Sequence, residues 1–435
     1  MSPTALALNS VQHEDHSSLI GLARLMAMAF RGEDLSGLGQ QLLARAGLDD
    51  AAAMMDLCTL LQLRGDPATA LALQPHALEL QRHYPLLPDR QASPIRLLAI
   101  MAAGDLMTNV PLEFLAQGAG FRLDLLYLTP GQPLPAELPE HDLAIVALSE
   151  LDRNLPTLHW LEAVLADWPR PLLNRPQAVA KMGRDRISRT LQALPGVSMP
   201  LTVRLDRATL ARIAAGEEAL ANYLSDGDLP AIIRPVDSHA GKGLCKLESA
   251  ADLAAYLQNQ PEAEFFVARF VDYRSRDGQF RKYRVMMING RPYLGHMAIS
   301  DHWMVHYLNA GMTESADKRA EEAAVMRTFD QGFARRHARA LAAIQQQLGV
   351  EYFGMDCAET RGGQLLIFEA GTAMSAHAMD PVDLFPYKQP PMRKLFNGFL
   401  QMLEHRLKED SGLQRMGQIL PFNAARGERQ VRPGL

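Results

Sequence analysis

The sequence has few cysteines, no long apolar run and no excess of basic residues. Its three cysteines, Cys58, Cys245 and Cys357, are far apart and form no Cys-x-x-Cys pair. We therefore expect neither a disulfide framework nor a zinc knuckle, and we expect a reducing compartment. No stretch approaches the roughly 18 apolar residues of a membrane span, and the N-terminus lacks the pattern of a signal peptide. We expect a cytoplasmic protein without a membrane anchor.

The charge balance excludes another class of partners. The chain has 44 Lys and Arg against 49 Asp and Glu, which gives a formal net charge of -5. Nucleic acid and anionic membranes are not expected to bind, because no global basic field attracts them. With 435 residues, 48% of them hydrophobic, the chain can form two or three domains with real cores.

Hydrophobic periodicity divides the chain into four parts. Residues 1–90 have helical spacing and weakly match a tetratricopeptide-type repeat, although a plain helical cap is the alternative. In residues 94–175 strands alternate with helices, which predicts a small parallel α/β domain. Residues 176–408 mix strands and helices less regularly, as α+β domains do. Residues 409–435 are rich in Gly, Arg and Pro and are predicted to form a flexible tail.

Two nucleotide-binding motifs are absent, and one Gly-rich segment is present. No G-x-G-x-x-G follows the first strand of the α/β domain, so a dinucleotide fold is not expected there. The segment RPVDSHAGKGLCKL is not a Walker A loop, because Lys242 is followed by Gly243 and not by Ser or Thr. We predict a hairpin that covers phosphates with backbone N–H groups; a plain turn between two strands is the alternative.

The clearest functional pattern is the segment GMDCAETRGGQLLIFEAG. If the glycines at 362–363 form a two-residue hairpin turn, Thr360 faces Leu365 and Asp356 faces Glu369. Two facing carboxylates repel each other unless a cation lies between them. A hard divalent ion such as Mg²⁺ meets that need. A solvated hairpin face that carries two acids by chance is the alternative.

Two arginines are candidate partners for phosphate. Arg234 ends the apolar strand AIIRP, and Arg284 lies at the start of the strand-like run KYRVMMI. A charge in such a strand is costly unless it faces a ligand or an acid. Each could instead be an ordinary salt-bridge arginine.

Taken in order, these features resemble the ATP-grasp superfamily over roughly residues 94–405. The resemblance implies a fold of the α/β and α+β classes. It would consist of the N-terminal helical region, a small parallel α/β pre-ATP-grasp domain and a two-lobed ATP-grasp domain.

The resemblance also implies a nucleotide site. The pair Asp185-Arg186 matches the family's helix start, where a lysine contacts phosphate, and IIRPVDSHAGKG matches its strand and Gly-rich loop. The stretch FFVARFVDY matches the hinge that holds adenine through its backbone and ribose through an acid. The implied nucleotide-binding residues are Arg186, Arg234, Ser238, Gly241, Lys242, Gly243, Ala268, Arg269, Phe270, Val271 and Asp272. The implied metal ligands are Asp356 and Glu369, for Mg²⁺ or Mn²⁺.

The resemblance further implies that ATP activates a substrate carboxylate as an acyl-phosphate, which an amine then converts to an amide. The implied catalytic residues are Arg284, which stabilises the transferring charge, and His306, which could take a proton from the amine; a structural role for His306 is the alternative. The expected partners are small-molecule or peptide carboxylates and amines. A protein partner or a second copy of the chain could contact the N-terminal helices.

Three departures from the family pattern bear on activity. Arg186 and Arg234 stand where the family has lysines, which keeps the charge but enlarges the contact. Gly371 stands where the third metal ligand, usually Asn, is expected. Activity could therefore be weak or lost. The alternative is a degenerate ATP-grasp module that binds nucleotide as a sensor or scaffold, and a lesser option is phosphoryl transfer without an amine step.

Overall fold

The computed structural model describes residues 18–86, 93–238 and 241–419, with side chains as far as residue 410. Within the first range the chain forms helices, as the periodicity predicts. These are α1 (Leu22–Phe30), α2 (Ser36–Ala46), α3 (Ala51–Leu63) and α4 (Pro67–Leu80). Asp50 and Asp66 cap α3 and α4 by accepting hydrogen bonds from the backbone N–H groups of Ala53 and Thr69, which satisfies donors that a helix start leaves free.

The first sheet belongs mainly to the predicted α/β domain. Its strands are β1 (His83–Leu86), β2 (Arg96–Met101), β3 (Arg122–Tyr127), β4 (Leu143–Val146) and β5 (Leu172–Leu173), in the order β1-β3-β2-β4-β5. The pairs among β2 to β5 are parallel, as predicted. The edge strand β1 is antiparallel to β3 and comes from the region predicted to be helical. Pro85 in this strand suits a sheet edge, where the missing N–H of proline is tolerated.

Both faces of the first sheet are covered. Leu97, Ala99 and Met101 on one face of β2 join a core with the N-terminal helices and the last long helix. Leu98 and Ile100 on the other face join a core with α6 (Leu155–Val164). Alternate side chains of a strand point to opposite faces, so a continuous apolar run is what a doubly covered sheet requires. Helix α5 (Leu112–Ala119) connects β2 to β3.

The third region has two lobes with separate cores, as predicted. After α7 (Pro176–Val179) and α8 (Arg184–Leu191), strand β6 (Val197–Ser198) leads into the small lobe. The elements of this lobe are β7 (Thr202–Asp206), α9 (Arg207–Ala214), β8 (Ala231–Pro235), β9 (Cys245–Leu247), α10 (Ala250–Asn259) and β10 (Glu264–Arg269). The sheet of this lobe has the order β7-β10-β8-β9, and α9 and α10 contribute to its core.

The large lobe carries the candidate site. Its elements are β11 (Phe280–Ile288), β12 (Arg291–Ser300), α11 (Ala316–Thr328), α12 (Ala338–Leu348), β13 (Tyr352–Glu359), β14 (Leu365–Gly371) and α13 (Gln389–Ile419). Its sheet has the order β12-β11-β13-β14-β6 and is antiparallel except for the pair of β14 with β6.

Two further predictions concern the ends of the chain. The predicted tail starts at residue 409, but the backbone continues as α13 to Ile419; residues 420–435 lie outside the described residues. The N-terminal helical region exposes the large apolar side chains of Phe30, Leu43, Leu48, Leu71 and Leu80, and the role of this region in binding a partner or a second copy stays a prediction. No helix among the described residues is long and apolar enough to cross a bilayer.

Candidate active site

The two predicted metal ligands face each other. Asp356 on β13 pairs with Glu369 on β14, as predicted. The route to this register differs from the prediction, because Glu359, and not Thr360, faces Leu365. The loop spans residues 361–363, with the amide of Gly363 bonded to the carbonyl of Thr360 (N···O 2.9 Å). A bulge between Asp356 and the next residue shifts the register back by one.

Asp356 is held by two cationic side chains of β11. Its side chain is 3% exposed. Lys282 Nζ lies 2.8 Å from one carboxylate oxygen, and Arg284 Nε lies 2.8 Å from the other. Burial alone would raise the pKa of Asp356, but Arg284 and Lys282 lower it below its usual range. Lys282 was not predicted, although its position two residues before Arg284 places it on the same sheet face.

Glu369 is held by two arginines from outside the sheet. Arg184, at the start of α8, forms an ion pair with the Glu369 carboxylate and also donates to the Phe368 carbonyl (3.3 Å). Arg234 Nη1 lies 3.8 Å from Glu369 Oε2. Burial would raise the pKa of Glu369, but Arg184 and Arg234 outweigh burial and the charge of Asp356, so the pKa is lowered to about 2.

The structure places Arg184, and not the predicted Arg186, beside the facing carboxylates. Arg186 points the other way, with Nη1 3.4 Å from Asp152 and Nη2 3.4 Å from the Glu150 carbonyl. Residues two apart in a helix lie on different sides of it, so only one of these arginines can reach Glu369. The sequence pattern indicated Arg186, which follows Asp185, and not Arg184, which precedes it.

The Gly-rich segment lies against the same site. Arg234 Nε donates to Ser238 Oγ (3.0 Å), which ties the strand end to the loop. Gly241 has φ 73° and its backbone is covered by the His306 ring, which occupies the place of a Cβ. The side chain of Lys242 is exposed. Of this segment, residues 239–240 lie outside the described residues.

Two local features further define this part of the site. Gly243 has φ 66°, and its carbonyl accepts a hydrogen bond from the Tyr256 hydroxyl (2.6 Å). Burial and the nearby Lys282 lower the pKa of His306, so the imidazole is neutral at pH 7 and able to accept a proton.

The predicted hinge joins the two lobes, because it follows β10 and precedes β11. Ala268 and Arg269 end β10, and the Arg269 side chain is bonded to Asp226 (3.0 Å). The Phe270 N–H donates to the Pro230 carbonyl (2.8 Å). Val271 follows and packs at the edge of the large-lobe core. Adenine binding by these residues stays a prediction.

The predicted ribose residue, Asp272, lies at the surface just after the hinge. Its carboxylate is bonded to Arg274 (2.6 Å). The Arg274 hydrogen bonds outweigh slight burial and lower the pKa of Asp272 to about 2. Asp272 is thus ionised, and ribose binding would compete with Arg274 for its oxygens.

The charges of the site favour an anion. Among the described residues, four cationic side chains touch the two carboxylates, so the local balance is 4 − 2 = +2. Such a surplus suits phosphate groups. The cationic groups are Arg184, Arg234, Lys282 and Arg284.

The donor set fits a divalent cation in its chemistry. Two facing carboxylates are the hard oxygen ligands that Mg²⁺ prefers. Nowhere in the described ranges do three His, Cys, Asp or Glu side chains lie close enough together to hold a metal ion. A metal at Asp356 and Glu369 would therefore have to replace their present cationic partners.

The comparisons with known proteins return ATP-grasp structures. Neither a protein-family model nor a curated protein matches the sequence. A RimK domain protein ATP-grasp from Sphaerobacter thermophilus is 14% identical, with a TM-score of 0.37, and the match covers 71% of this chain and 99% of that one. The VanG D-Ala:D-Ser ligase from Enterococcus faecalis is 13% identical, with a TM-score of 0.42 and coverage of 72% and 100%.

A third similar structure is D-alanyl-alanine synthetase A from Vibrio cholerae. It is 11% identical, with a TM-score of 0.42, and the match covers 74% of this chain and 100% of that one.

Proposed function

We propose that this chain is an ATP- and Mg²⁺-dependent ligase that activates a carboxylate as an acyl-phosphate for attack by an amine. The observation that carries the proposal is the facing pair Asp356 and Glu369, surrounded by four cationic side chains on one side of the large lobe. Anion-binding and cation-binding groups in contact are what phosphoryl transfer requires, because catalysis there is mostly positioning and charge stabilisation.

The cationic residues have the first role in this reaction. Arg184, Arg234, Lys282 and Arg284 would turn from the carboxylates to phosphate oxygens and stabilise the charge that builds up during transfer. When bound by Asp356 and Glu369, Mg²⁺ supplies neutralisation of phosphate charge. The γ-phosphoryl group moves to a substrate carboxylate oxygen, and ADP leaves.

The amine step assigns a role to His306. The amine nitrogen attacks the acyl carbon, phosphate leaves, and the proton of the amine passes to the neutral imidazole. The nearby Gly-rich loop, which contacts His306 at Gly241, would exclude water and so protect the acyl-phosphate from hydrolysis.

Calorimetric titration tests nucleotide binding. A non-hydrolysable ATP analogue is titrated with and without Mg²⁺ into wild type, Asp356→Asn and the control Asp330→Asn, whose acid lies in an exposed pair with Lys394. We expect Mg²⁺-dependent binding by wild type and control, and a loss of at least about tenfold in Asp356→Asn. Absence of binding by the wild type would overturn the proposal.

A second candidate is a module that binds nucleotide without ligation. It is favoured by Gly371, which offers no side chain, and by the cationic groups that hold Asp356 and Glu369. Hydroxylamine trapping with a panel of amino acids and peptides separates the candidates. Hydroxamate together with amide products supports the ligase, and hydroxamate alone supports phosphoryl transfer without an amine step. Binding without ADP release supports the second candidate.

A further inference from the structure

A cavity lies between the N-terminal helices and the α/β domain. Its volume is about 70 Å³, which is room for about five water molecules or for a ligand with about as many non-hydrogen atoms. Asp56 on α3 lines it from the helical side, and Glu113 on α5 and Tyr127 on β3 line it from the α/β side. The lining includes none of the residues of the candidate active site.

The charged side chains in the lining of this cavity are all acidic. They are Asp56, Asp105 and Glu113. Asp105 has a cationic partner in Arg153, whereas in the described part of the chain neither Asp56 nor Glu113 forms an ion pair. A buried carboxylate is costly unless it is paired with a cation. The cavity thus offers two carboxylates to a cation that the surrounding side chains do not supply.

Backbone hydrogen bonds position these two carboxylates without saturating them. Asp56 accepts from the N–H groups of Ile20 and Gly21 (2.8 and 2.9 Å), and Glu113 accepts from that of Ala23 (2.9 Å). An ionised carboxylate has about four lone-pair sites, so acceptor capacity remains on both. Burial outweighs these hydrogen bonds and raises the pKa of both acids, as expected where no cation neutralises them.

The Tyr127 hydroxyl is a further polar group at the cavity. Tyr127 is only 8% exposed, and its hydroxyl has no hydrogen-bond partner among the residues that the structure describes. The neighbouring Tyr84, whose ring packs edge-on against it, donates its own hydroxyl to the Gln81 carbonyl (2.8 Å). Buried tyrosine hydroxyls are usually hydrogen-bonded. Among the charges that raise the pKa of Tyr127, that of Glu113 is the strongest, so the hydroxyl lies towards this carboxylate.

We propose that this cavity binds a small alkylammonium ion. An ammonium group has three N–H donors, which match the two carboxylates of Asp56 and Glu113 and the Tyr127 hydroxyl. Leu106 and Leu112 also line the cavity and would contact the alkyl chain. The ligand supplies the positive charge that the lining lacks and the partner that the hydroxyl lacks.

The lining also limits the class of ligand. An α-amino acid is not expected, because its carboxylate would face the acids without a cationic side chain beside it. A metal ion is not expected, because in the described ranges no three His, Cys, Asp or Glu side chains lie close enough together to hold one. Binding here does not depend on the proposed ligase function, because the cavity is separate from Asp356 and Glu369.

Titration of ethylammonium chloride into the full chain, followed by ligand-detected NMR, tests the proposal. Sodium chloride keeps the ionic strength constant, and ethanol is the uncharged probe of the same size. We expect saturable binding of ethylammonium and at least about tenfold weaker binding of ethanol, because hydrogen bonds to charged groups are the stronger ones.

Matched variants locate the binding. Tyr127→Phe removes one hydroxyl, keeps both acids and should weaken ethylammonium binding at least about tenfold. Asp56→Asn removes one charge and should weaken it at least as much. The controls are Glu137→Gln, in an exposed acid of the same domain, and Asp356→Asn, in the candidate active site; both should bind as the wild type does. Thermal unfolding establishes that each variant is folded, and Tyr127→Phe decides if Asp56→Asn is not.

Hydrogen exchange gives a second readout of the same binding. Ethylammonium should slow exchange of the amides of residues 20, 21 and 23, which donate to the two carboxylates, and should leave the amides of β13 unchanged.

Three results would overturn the proposal and leave the ligase function standing. Equal binding of ethanol and ethylammonium, or no saturable binding of either, would mean that the cavity holds water only. Wild-type affinity in folded Tyr127→Phe would remove the hydroxyl from the site. An equal loss of binding in Asp356→Asn would place the ammonium ion in the candidate active site and not in this cavity.

Discussion

Two pairs of acids in this protein, each with one fully buried member, have opposite environments. The helix-start pair consists of Asp56 on α3 and Glu113 on α5, and the site pair consists of Asp356 and Glu369. Asp56 accepts hydrogen bonds from the backbone N–H groups of residues 20 and 21 (2.8 and 2.9 Å), and Glu113 from that of residue 23 (2.9 Å). The site pair is instead held by arginine and lysine side chains.

The difference appears in the pKa values. Burial raises the pKa of Asp56 to about 6 and that of Glu113 to about 7, and the backbone hydrogen bonds, which lower the pKa, only partly offset burial. Cationic partners lower the pKa of both acids in the site pair. The helix-start pair thus fixes the start of α1, whereas the site pair stays ionised and holds cations that a ligand could exchange.

The largest expected effect comes from breaking the site pair. Asp356→Ala leaves Lys282 and Arg284 without their carboxylate, and loss of one partner from a buried ion pair costs about 3–5 kcal/mol. The free energy of unfolding, measured with urea, should fall by this amount. Asp330→Ala, which removes an acid from an exposed pair, should cost no more than about 1 kcal/mol. Equal losses in the two variants would contradict the comparison.

A change of pH should affect the two pairs in opposite directions. The folded pKa values of the helix-start pair lie above the ordinary values of 3.8 and 4.5, so their contribution is largest at low pH and is lost as pH rises through about 6 to 7. For Asp56 the free energy of unfolding should fall by about 1.4 kcal/mol for each unit by which the folded pKa exceeds the unfolded pKa. The contribution of Glu369 is present above pH 4.5 and is lost as pH falls towards 2.

Hydrogen exchange of the α3 amides, corrected for intrinsic rates, measures the first of these effects. Protection should be greater at pH 5 than at pH 7, and Asp56→Asn/Glu113→Gln should reduce the difference. Amides of β13 should show no comparable gain at pH 5. Equal protection of α3 at both pH values would mean that its acids are neutralised by other groups.

The sequence predicts one part of the site well. Asp356 and Glu369 lie opposite each other, as the sequence predicted. The prediction assumed a two-residue turn without a bulge. The true loop shifts the register of the two strands by one residue, and the bulge after Asp356 shifts it back. Turn type depends on local backbone conformation that a Gly-Gly pair leaves open.

The other parts of the site could not be predicted from the sequence. Choosing between Arg184 and Arg186 requires the rotation of α8 about its axis, which packing against the sheets determines. Glu150 contacts Thr372, which is 222 residues away in the sequence, and no local sequence pattern predicts such a contact. The α/β domain was predicted as a fold, but the contact between Glu150 and Thr372 was not predicted.

Two glycines sharpen the comparison at a smaller energy. A Cβ on Gly21 would lie 2.6 Å from Glu113 Oε2, and φ there is +88°. A Cβ on Gly371 would collide with Glu150. Gly21→Ala should destabilise α1 by about 1–2 kcal/mol from the backbone conformation alone and leave nucleotide binding unchanged. Gly371→Ala should weaken Mg²⁺-dependent nucleotide binding, measured by calorimetry. If Gly21→Ala weakens nucleotide binding and Gly371→Ala does not, the comparison between the two pairs of acids is wrong.

The smallest effect is expected at a surface pair with the same chemistry as the site. Asp272 and Arg274 form an ion pair at 2.6 Å, but their side chains are 35% and 50% exposed. Water solvates both groups when the pair breaks, so Arg274→Gln should cost at most about 1 kcal/mol of unfolding free energy in urea, whereas Arg284→Gln should cost several times more. Arg274→Gln also frees the Asp272 carboxylate for ribose, so the nucleotide affinity measured by calorimetry should stay equal or rise. A lower affinity would mean that Arg274 itself binds the nucleotide.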